Sequence, residues 1–280
     1  MGYRTILVSL NNADQTPALL THAISIAKKN NAHLIGLHVL PTINIQPFSV
    51  TVEIPAQVLE AQKKAFQDEA DKIRKHFEDV TSRETISAEW RKISDQMASI
   101  VTRTVENAHY ADLIIVGQGN PEGTDGLADL CERLIMEAGR PIYIVPSENS
   151  SDHAGEVVLL AWNASRESAR ATFDALPFLR NSRQVNIVWI DAEDSAGQRI
   201  DLGGSEIATC LARHNVKAEV ISTAQKSGGI GQSLKDQVAN SGADLIVMGG
   251  YGHSRFSEYI FGGATRHMLT HMPVPILISH

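Results

Sequence analysis

Two glycine clusters near the C-terminal end of the chain carry the residue types from which a phosphate cradle is built. The first, Met248-Gly249-Gly250-Tyr251-Gly252-His253-Ser254-Arg255, follows the apolar run Leu245-Ile246-Val247. The second, Gly262-Gly263, precedes Ala264-Thr265-Arg266-His267-Met268-Leu269, which reads as the start of a helix. Glycine at the carboxyl end of a strand lets the backbone turn sharply and come close to a ligand. The free N–H groups at a helix N-terminus suit an anion such as phosphate. Glycines after strands also serve as plain turns, and both readings stand at this point. His253 falls inside the expected cradle, as a phosphate contact or a loop histidine. Arg255 and Arg266 flank it, as phosphate partners or as solvated surface cations.

Other chemistries find less support. A dinucleotide fingerprint would place Gly-x-Gly-x-x-Gly after the first strand of a βαβ unit, whereas these glycines follow a fourth strand. Gly-x-x-x-x-Gly-Lys-Ser/Thr is absent, so this is not a Walker loop. There is no Gly-x-Ser-x-Gly elbow to activate Ser165 or Ser254. His267 and His271 stand at i, i+4, a spacing that can hold one metal ion, but no third ligand and no HExxH accompany them. They are read as a solvated helix face, and no metal site is expected.

The elements that must position the cradle emerge from apolar patterning. Runs such as Leu113-Ile114-Ile115-Val116 are apolar without alternation, as in parallel strands buried on both faces. Strands are expected at 4–10, 33–39, 85–91, 112–117 and 141–145, then at 156–162, 184–190, 217–222, 244–249 and 274–279. Amphipathic stretches lie between them, including 16–30 and a longer helix over 55–78 that starts at Pro55. The charge-rich face of that helix, with Glu60, Lys63, Lys64, Asp68 and others, reads as solvated. The alternating order implies a parallel sheet with helices on both faces.

Those elements repeat. Ala111-Asp112-Leu113-Ile114-Ile115-Val116-Gly117 matches Ala243-Asp244-Leu245-Ile246-Val247-Met248-Gly249. Arg140-Pro141-Ile142-Tyr143-Ile144-Val145 matches Val274-Pro275-Ile276-Leu277-Ile278-Ser279, and the openings at Tyr3 and Glu156 both end in Asn. The repeat is far longer than the 20–50 residues of a solenoid unit, so each copy is a whole domain. The domains are expected at 1–146 and 156–280, joined by the Pro/Ser/Asn/Asp/Gly-rich stretch 146–155. The first copy carries an extra loop at 41–50, read as a surface insertion, with a lid or cross-copy contact as the functional alternative.

Composition narrows the partners. The 280 residues carry 25 Lys+Arg against 32 Asp+Glu, a net charge of −7, and 43% are hydrophobic. An acidic chain lacks the basic footprint of a general nucleic-acid binder. No apolar run reaches the roughly 18 residues of a membrane span, and no signal-peptide pattern opens the sequence. Two cysteines, Cys131 and Cys210, make no disulfide framework. The expected setting is the reducing cytoplasm, with no membrane and no nucleic acid as partner.

With these residues in view, the whole chain resembles the universal stress protein family in its tandem two-domain form. Nucleotide-binding members carry Gly, two residues, Gly, nine residues, Gly, then Ser or Thr. Gly249, Gly252 and Gly262 fit that spacing, and Gly263 stands where the hydroxyl residue is usual. Asn163 stands where an Asp commonly closes the first strand and helps hold the nucleotide. The resemblance implies an α/β fold: two Rossmann-like domains, each a five-stranded parallel sheet of order 3-2-1-4-5, packed as an intramolecular pseudo-dimer. It implies an adenine nucleotide (ATP, ADP or AMP) in the C-terminal copy, held by Ala161, Asn163, Met248, Gly249, Gly252, His253, Gly262, Gly263, Ala264 and Thr265, with Mg an accompaniment of ATP.

The departures have physical content. Asn163 both accepts and donates where a carboxylate only accepts. Gly263 removes a hydroxyl contact worth roughly 0.5–1.5 kcal/mol, which Thr265 is placed to replace in part. The first copy reads Gly117-Gln118-Gly119-Asn120-Pro121-Glu122-Gly123-Thr124-Asp125-Gly126-Leu127-Ala128-Asp129, off the glycine spacing, with Glu122, Asp125 and Asp129 opposing phosphate. It is read as a copy that has lost its cradle and serves as a structural or regulatory partner. The expected function is stress-linked nucleotide sensing. The alternatives are a protein- or small-ligand-interaction module with a vestigial cradle, and slow ATP hydrolysis with His253 as the one candidate base. A further homodimer through the last strands or helix faces is also expected.

Overall fold

The unbroken apolar runs become the centre of the sheet. In a computed structural model of the chain, Leu113, Ile114, Ile115 and Val116 are all fully buried, as are Leu245, Ile246 and Val247. The structure describes residues 2–41, 56–94, 98–119, 127, 129–148, 154–191, 203–225, 227–251 and 263–280. The insertion beyond Pro41 lies outside them, as does the middle of the linker. The first copy comprises β1 (Thr5–Ser9), α1 (Thr16–Asn30), β2 (His33–Val39), α2 (Ala56–Arg83), β3 (Ala88–Ile93), α3 (Ile100–Ala108), β4 (Leu113–Gly117), α4 (Leu130–Glu137) and β5 (Ile142–Val145). The second comprises β6 (Val157–Trp162), α5 (Arg166–Asp174), α6 (Leu176–Leu179), β7 (Gln184–Asp191), α7 (Gly203–Arg213), β8 (Ala218–Ala224), α8 (Gly229–Ser241), β9 (Leu245–Gly249), α9 (Gly263–Thr270) and β10 (Ile276–Ser279). No helix among the described residues is long and apolar enough to cross a membrane.

The strand order is β3-β2-β1-β4-β5-β10-β9-β6-β7-β8. Each copy therefore has the order 3-2-1-4-5, with all its pairs parallel. The copies meet at a single antiparallel seam, where Ile276 faces Ile144, Leu277 faces Tyr143 and Ile278 faces Ile142. The pseudo-dimer is thus one ten-stranded sheet. The seam also corrects the expectation of further pairing through the last strands. β5 and β10 are each hydrogen-bonded on both sides, so neither offers an edge.

Two apolar clusters cover the sheet, one on each face, and each runs through both copies. One holds Tyr3 and Tyr143 of the first copy with Phe178 of the second. The Tyr143 and Phe178 rings stack with centroids 5.7 Å apart and planes 9° apart. The Tyr3 hydroxyl donates to the Asp174 carbonyl at 2.7 Å. The other cluster joins Leu134 and Ile135 on α4 to Met268 on α9.

The duplicated Ala-Asp step has a concrete job. Asp112 Oδ2 accepts from the backbone N–H groups of Arg4 at 2.7 Å and Thr5 at 3.0 Å. Asp244 does the same for the second copy, accepting from Gly155, Glu156 and Val157 at 3.0, 3.1 and 3.0 Å. Each carboxylate starts a central strand and pins it to its neighbour through charge-assisted bonds.

Element boundaries differ from the sequence expectation where backbone geometry intervenes. The long helix continues to Arg83 and the next strand starts only at Ala88, because Thr85 turns left-handed at φ 53°. The last strand begins at Ile276, after Pro275, which has no N–H to give to a ladder. Replacing Asp244 with Ala leaves three strand-opening N–H groups without their acceptor. We expect a loss of about 2–4 kcal/mol in urea denaturation, and a smaller loss for Asp244→Asn, which keeps an acceptor oxygen.

Candidate functional site

In the second copy the strand order reverses between β6 and β9, and the loops leaving their carboxyl ends diverge. Such a switch point is where open α/β sheets bind ligands. A cavity of about 200 Å³ lies there. It is lined by Ala161 and Asn163 from the end of β6, Met248 and Gly249 from the end of β9, and Gly263, Ala264 and Thr265 from the start of α9. The structure thus gathers these sequence-predicted residues around one space. Gly252, His253 and Gly262 lie outside the described residues, as do Ser254 and Arg255. Arg266 is exposed on α9 and does not line the cavity.

Local sequence explains this convergence. A Cβ on Gly249 would come within 2.6 Å of the Glu167 carbonyl carbon and the Ser168 nitrogen, so only glycine lets α5 start against the end of β9. Ser165 caps α5, its hydroxyl accepting from the Ser168 N–H at 3.1 Å. Asn163 Oδ1 accepts from the Ser165 N–H at 3.1 Å. That bond uses the amide oxygen and leaves Asn163 presenting its NH2 as a donor. The Thr265 hydroxyl, nearly fully buried, accepts from the Tyr251 N–H at 3.3 Å. It braces the turn after β9, where Tyr251 takes the left-handed φ of 52°, and keeps its own O–H as a donor. Among the described residues nothing lies within 4 Å of a Cβ placed on Gly263.

Several lining residues escaped sequence reasoning: Trp162, Ser165, Glu167, Val188, Ile190, Ile230 and Leu234. Ile230 is 39% exposed, and with Leu234 it gives α8 an apolar flank on the cavity. Its position in the first turn of an amphipathic helix was the available signal. Glu167 is more consequential, since only 9% of its side chain is exposed. Burial pushes its carboxyl up. Hydrogen bonds from its own backbone N–H, the Ser165 hydroxyl and Arg166, with the Arg166 charge, outweigh that and hold it below the ordinary value. The stabilisation this implies is present above the ordinary carboxylate range and fades as pH falls through the lowered value. At neutral pH the cavity therefore contains one anionic wall.

The first copy, expected to have lost its phosphate cradle, still holds a cavity. A cavity of about 380 Å³ occupies the equivalent place, lined by Ser9, Asn11, Asn12, Gln15, Gly117 and Gln118 among others. Glu122 and Asp125 lie outside the described residues. Asp129 is exposed just ahead of α4 and makes no side-chain capping bond there.

Among the described residues no group of three or more His, Cys, Asp or Glu side chains is placed to hold a metal ion. The His267 and His271 rings stack at 4.8 Å at the end of α9. Both thiols are free; Cys131 is buried and pushed up to about 11 by desolvation, while Cys210 is only half-buried.

The family model described as the universal stress protein family matches residues 2–146 and again residues 156–280. No curated protein matches the chain. Among solved structures, a universal stress protein from Archaeoglobus fulgidus DSM 4304 is 17% identical, covering 98% of this chain and 95% of its own, with a TM-score of 0.68. A protein of unknown function from Pseudomonas aeruginosa PAO1 is 15% identical over 99% of this chain and 92% of its own, with a TM-score of 0.58. These two likenesses show the fold. A universal stress protein from Archaeoglobus fulgidus in complex with dAMP is 18% identical over 51% of this chain and 98% of its own, with a TM-score of 0.32.

The two glycines at the ends of the cavity respond oppositely to a side chain. Gly249→Ala forces backbone apart at the α5 start, and we expect about 1–3 kcal/mol of destabilisation in thermal or urea melts. Gly263→Ser meets no described neighbour, and we expect it to stay within about 0.5 kcal/mol of the parent chain.

Proposed function

Because the chain belongs to the universal stress protein family, carrying two copies of its domain in tandem, we propose that its C-terminal copy binds an adenine nucleotide and uses it as a signal rather than a fuel. The observation that carries this reading is the single cavity shared by the end of β6, the end of β9 and the start of α9. Backbone N–H groups at Gly263, Ala264 and Thr265 open α9 and favour phosphate. Val188, Ile190, Ile230 and Leu234 offer an apolar wall for a purine, and the Asn163 amide faces base or ribose as a donor. The Glu167 carboxylate repels phosphate, so the phosphates belong at the α9 end. With ATP, magnesium arrives on the phosphates. The two free thiols suit a reducing, cytoplasmic setting.

A second reading is an interaction module with a vestigial cradle. It is favoured by the Asn163 oxygen being spent on its own loop, the missing hydroxyl at Gly263 and the acidic Glu167 wall.

Calorimetric titration of the full chain with AMP, ADP and ATP separates the two. The nucleotide reading expects saturable binding that Gly263→Ser tightens by about 2–10-fold, the worth of one added hydrogen bond. Absence of binding up to millimolar nucleotide, with the chain folded, overturns it in favour of the interaction module.

A further inference from the structure

The cavity of the first copy has its own chemistry. It is the larger of the two, about 380 Å³ against about 200 Å³, and falls in the size range of small-molecule sites. Among the described residues its polar lining consists of side-chain amides and hydroxyls, and none of them is charged. Some of these groups are already spent. Asn11 donates to Ser9 Oγ at 2.8 Å and accepts from the Val39 N–H at 2.8 Å. Gln118 donates to the Leu269 and Thr270 carbonyls at 2.8 and 3.1 Å and accepts from Ser147 N and Oγ at 3.1 and 3.2 Å. These two side chains are fixed walls.

Two neighbouring groups are not spent. Asn12 Oδ1 accepts from the Asp14 and Gln15 N–H groups, which fixes the amide's orientation and points its NH2 elsewhere. Gln15 Nε2 donates to the Gln118 carbonyl at 3.3 Å, which fixes that amide and leaves Oε1 as the acceptor. Among the described residues neither Asn12 Nδ2 nor Gln15 Oε1 makes a hydrogen bond. The residues lining the cavity therefore include one unspent donor, Asn12 Nδ2, and one unspent acceptor, Gln15 Oε1, which lies against Gly117; the apolar surface of Leu19, Leu127 and Leu130 is beside them. A donor–acceptor pair of this kind matches a nucleobase edge, an amide or a vicinal diol.

The surrounding field selects against an anion. Asp129 precedes α4 and Glu132 lies in its first turn, so the N-terminal end of that helix is already offset by carboxylates. From the other side comes the C-terminal end of α9, whose last residue, Thr270, lines the cavity and whose macrodipole is negative there. Among the described residues no lysine or arginine lines the space to balance a phosphate.

We propose that the first copy holds a second ligand site, completed by Thr270 of the other copy, which takes an uncharged, nucleoside-sized molecule and rejects its phosphorylated form. The site stands independently of nucleotide binding in the second copy. The same helix serves both places, its first residues lining one cavity and its last residue the other.

Adenosine and AMP are suitable probes, titrated into the full chain and into two variants that fill the cavity from its exposed rim, Thr270→Trp and Ser147→Trp. Circular dichroism verifies that each variant is folded. We expect an adenosine-binding event in the parent chain that each variant weakens at least tenfold and that millimolar AMP does not displace. Adenosine binding absent up to millimolar concentration overturns the proposal. So does binding that both folded variants leave unchanged, or binding that AMP displaces as well as adenosine does. An adenosine event lost in the variants while AMP still binds assigns the two ligands to different copies. AMP binding absent from the parent chain, with an adenosine event present there and lost in the variants, leaves this proposal intact and sinks the nucleotide reading of the second copy.

Discussion

The antiparallel seam between β5 and β10 is the constraint on which the rest of the molecule depends. A parallel five-stranded sheet ends in an open row of N–H and C=O groups, and each copy meets that need only with the other. Pairing Ile144 with Ile276 and Ile142 with Ile278 makes the sheet continuous and forces both apolar clusters across the copy boundary. It also sets the last helix of each copy against the other's fourth-strand end. Gln118, just past β4, holds the final carbonyls of α9. Gly250, just past β9, lies so close to α4 that a Cβ would stand 2.8 Å from Ile135 Cγ2. Tyr251 beside it has its phenol pushed up by burial and by Glu132 of α4.

From this shared geometry the two cavities diverge by few substitutions. The registers Ile6 with Leu113 and Val158 with Leu245 superpose the copies, placing Gln15 opposite Glu167 and Gly117 opposite Gly249. In one copy the residue after the strand turn is a neutral amide that closes onto the Gln118 carbonyl. In the other it is a carboxylate held ionised by its own helix start and by Arg166. The scaffold fixes where each cavity sits, and this one position does much to set the charge inside it.

Most of the fold was legible because its signals are local or repeated. Unalternating apolar runs mark central strands, and the Ala-Asp-Leu-Ile repeat marks the step that pins β4 to β1 and β9 to β6. Of the glycine spacing, Gly249 lines one cavity, while Gly252 and Gly262 lie outside the described residues. What stayed hidden was relational. Nothing in Thr265 announces that its hydroxyl will serve the Tyr251 N–H, and nothing in Glu167 announces burial. The acidic run after Gly119 spoke only against phosphate in the first copy, while Asn11, Asn12 and Gln15 carried no motif to show that a cavity lies beside them. That Thr270 lines that cavity depends on the seam, a contact between segments more than 120 residues apart in the chain.

A domain that pairs with an identical partner about a two-fold axis must carry the same site twice, since any change on one side appears on the other. The stretch between Pro146 and Gly155 removes that obligation. It holds the partners together at an effective concentration independent of how much protein is made, and it makes each side of the sheet separately inheritable. Selection can then tune Gln15 without touching Glu167, and the molecule becomes a heterodimer written as one chain.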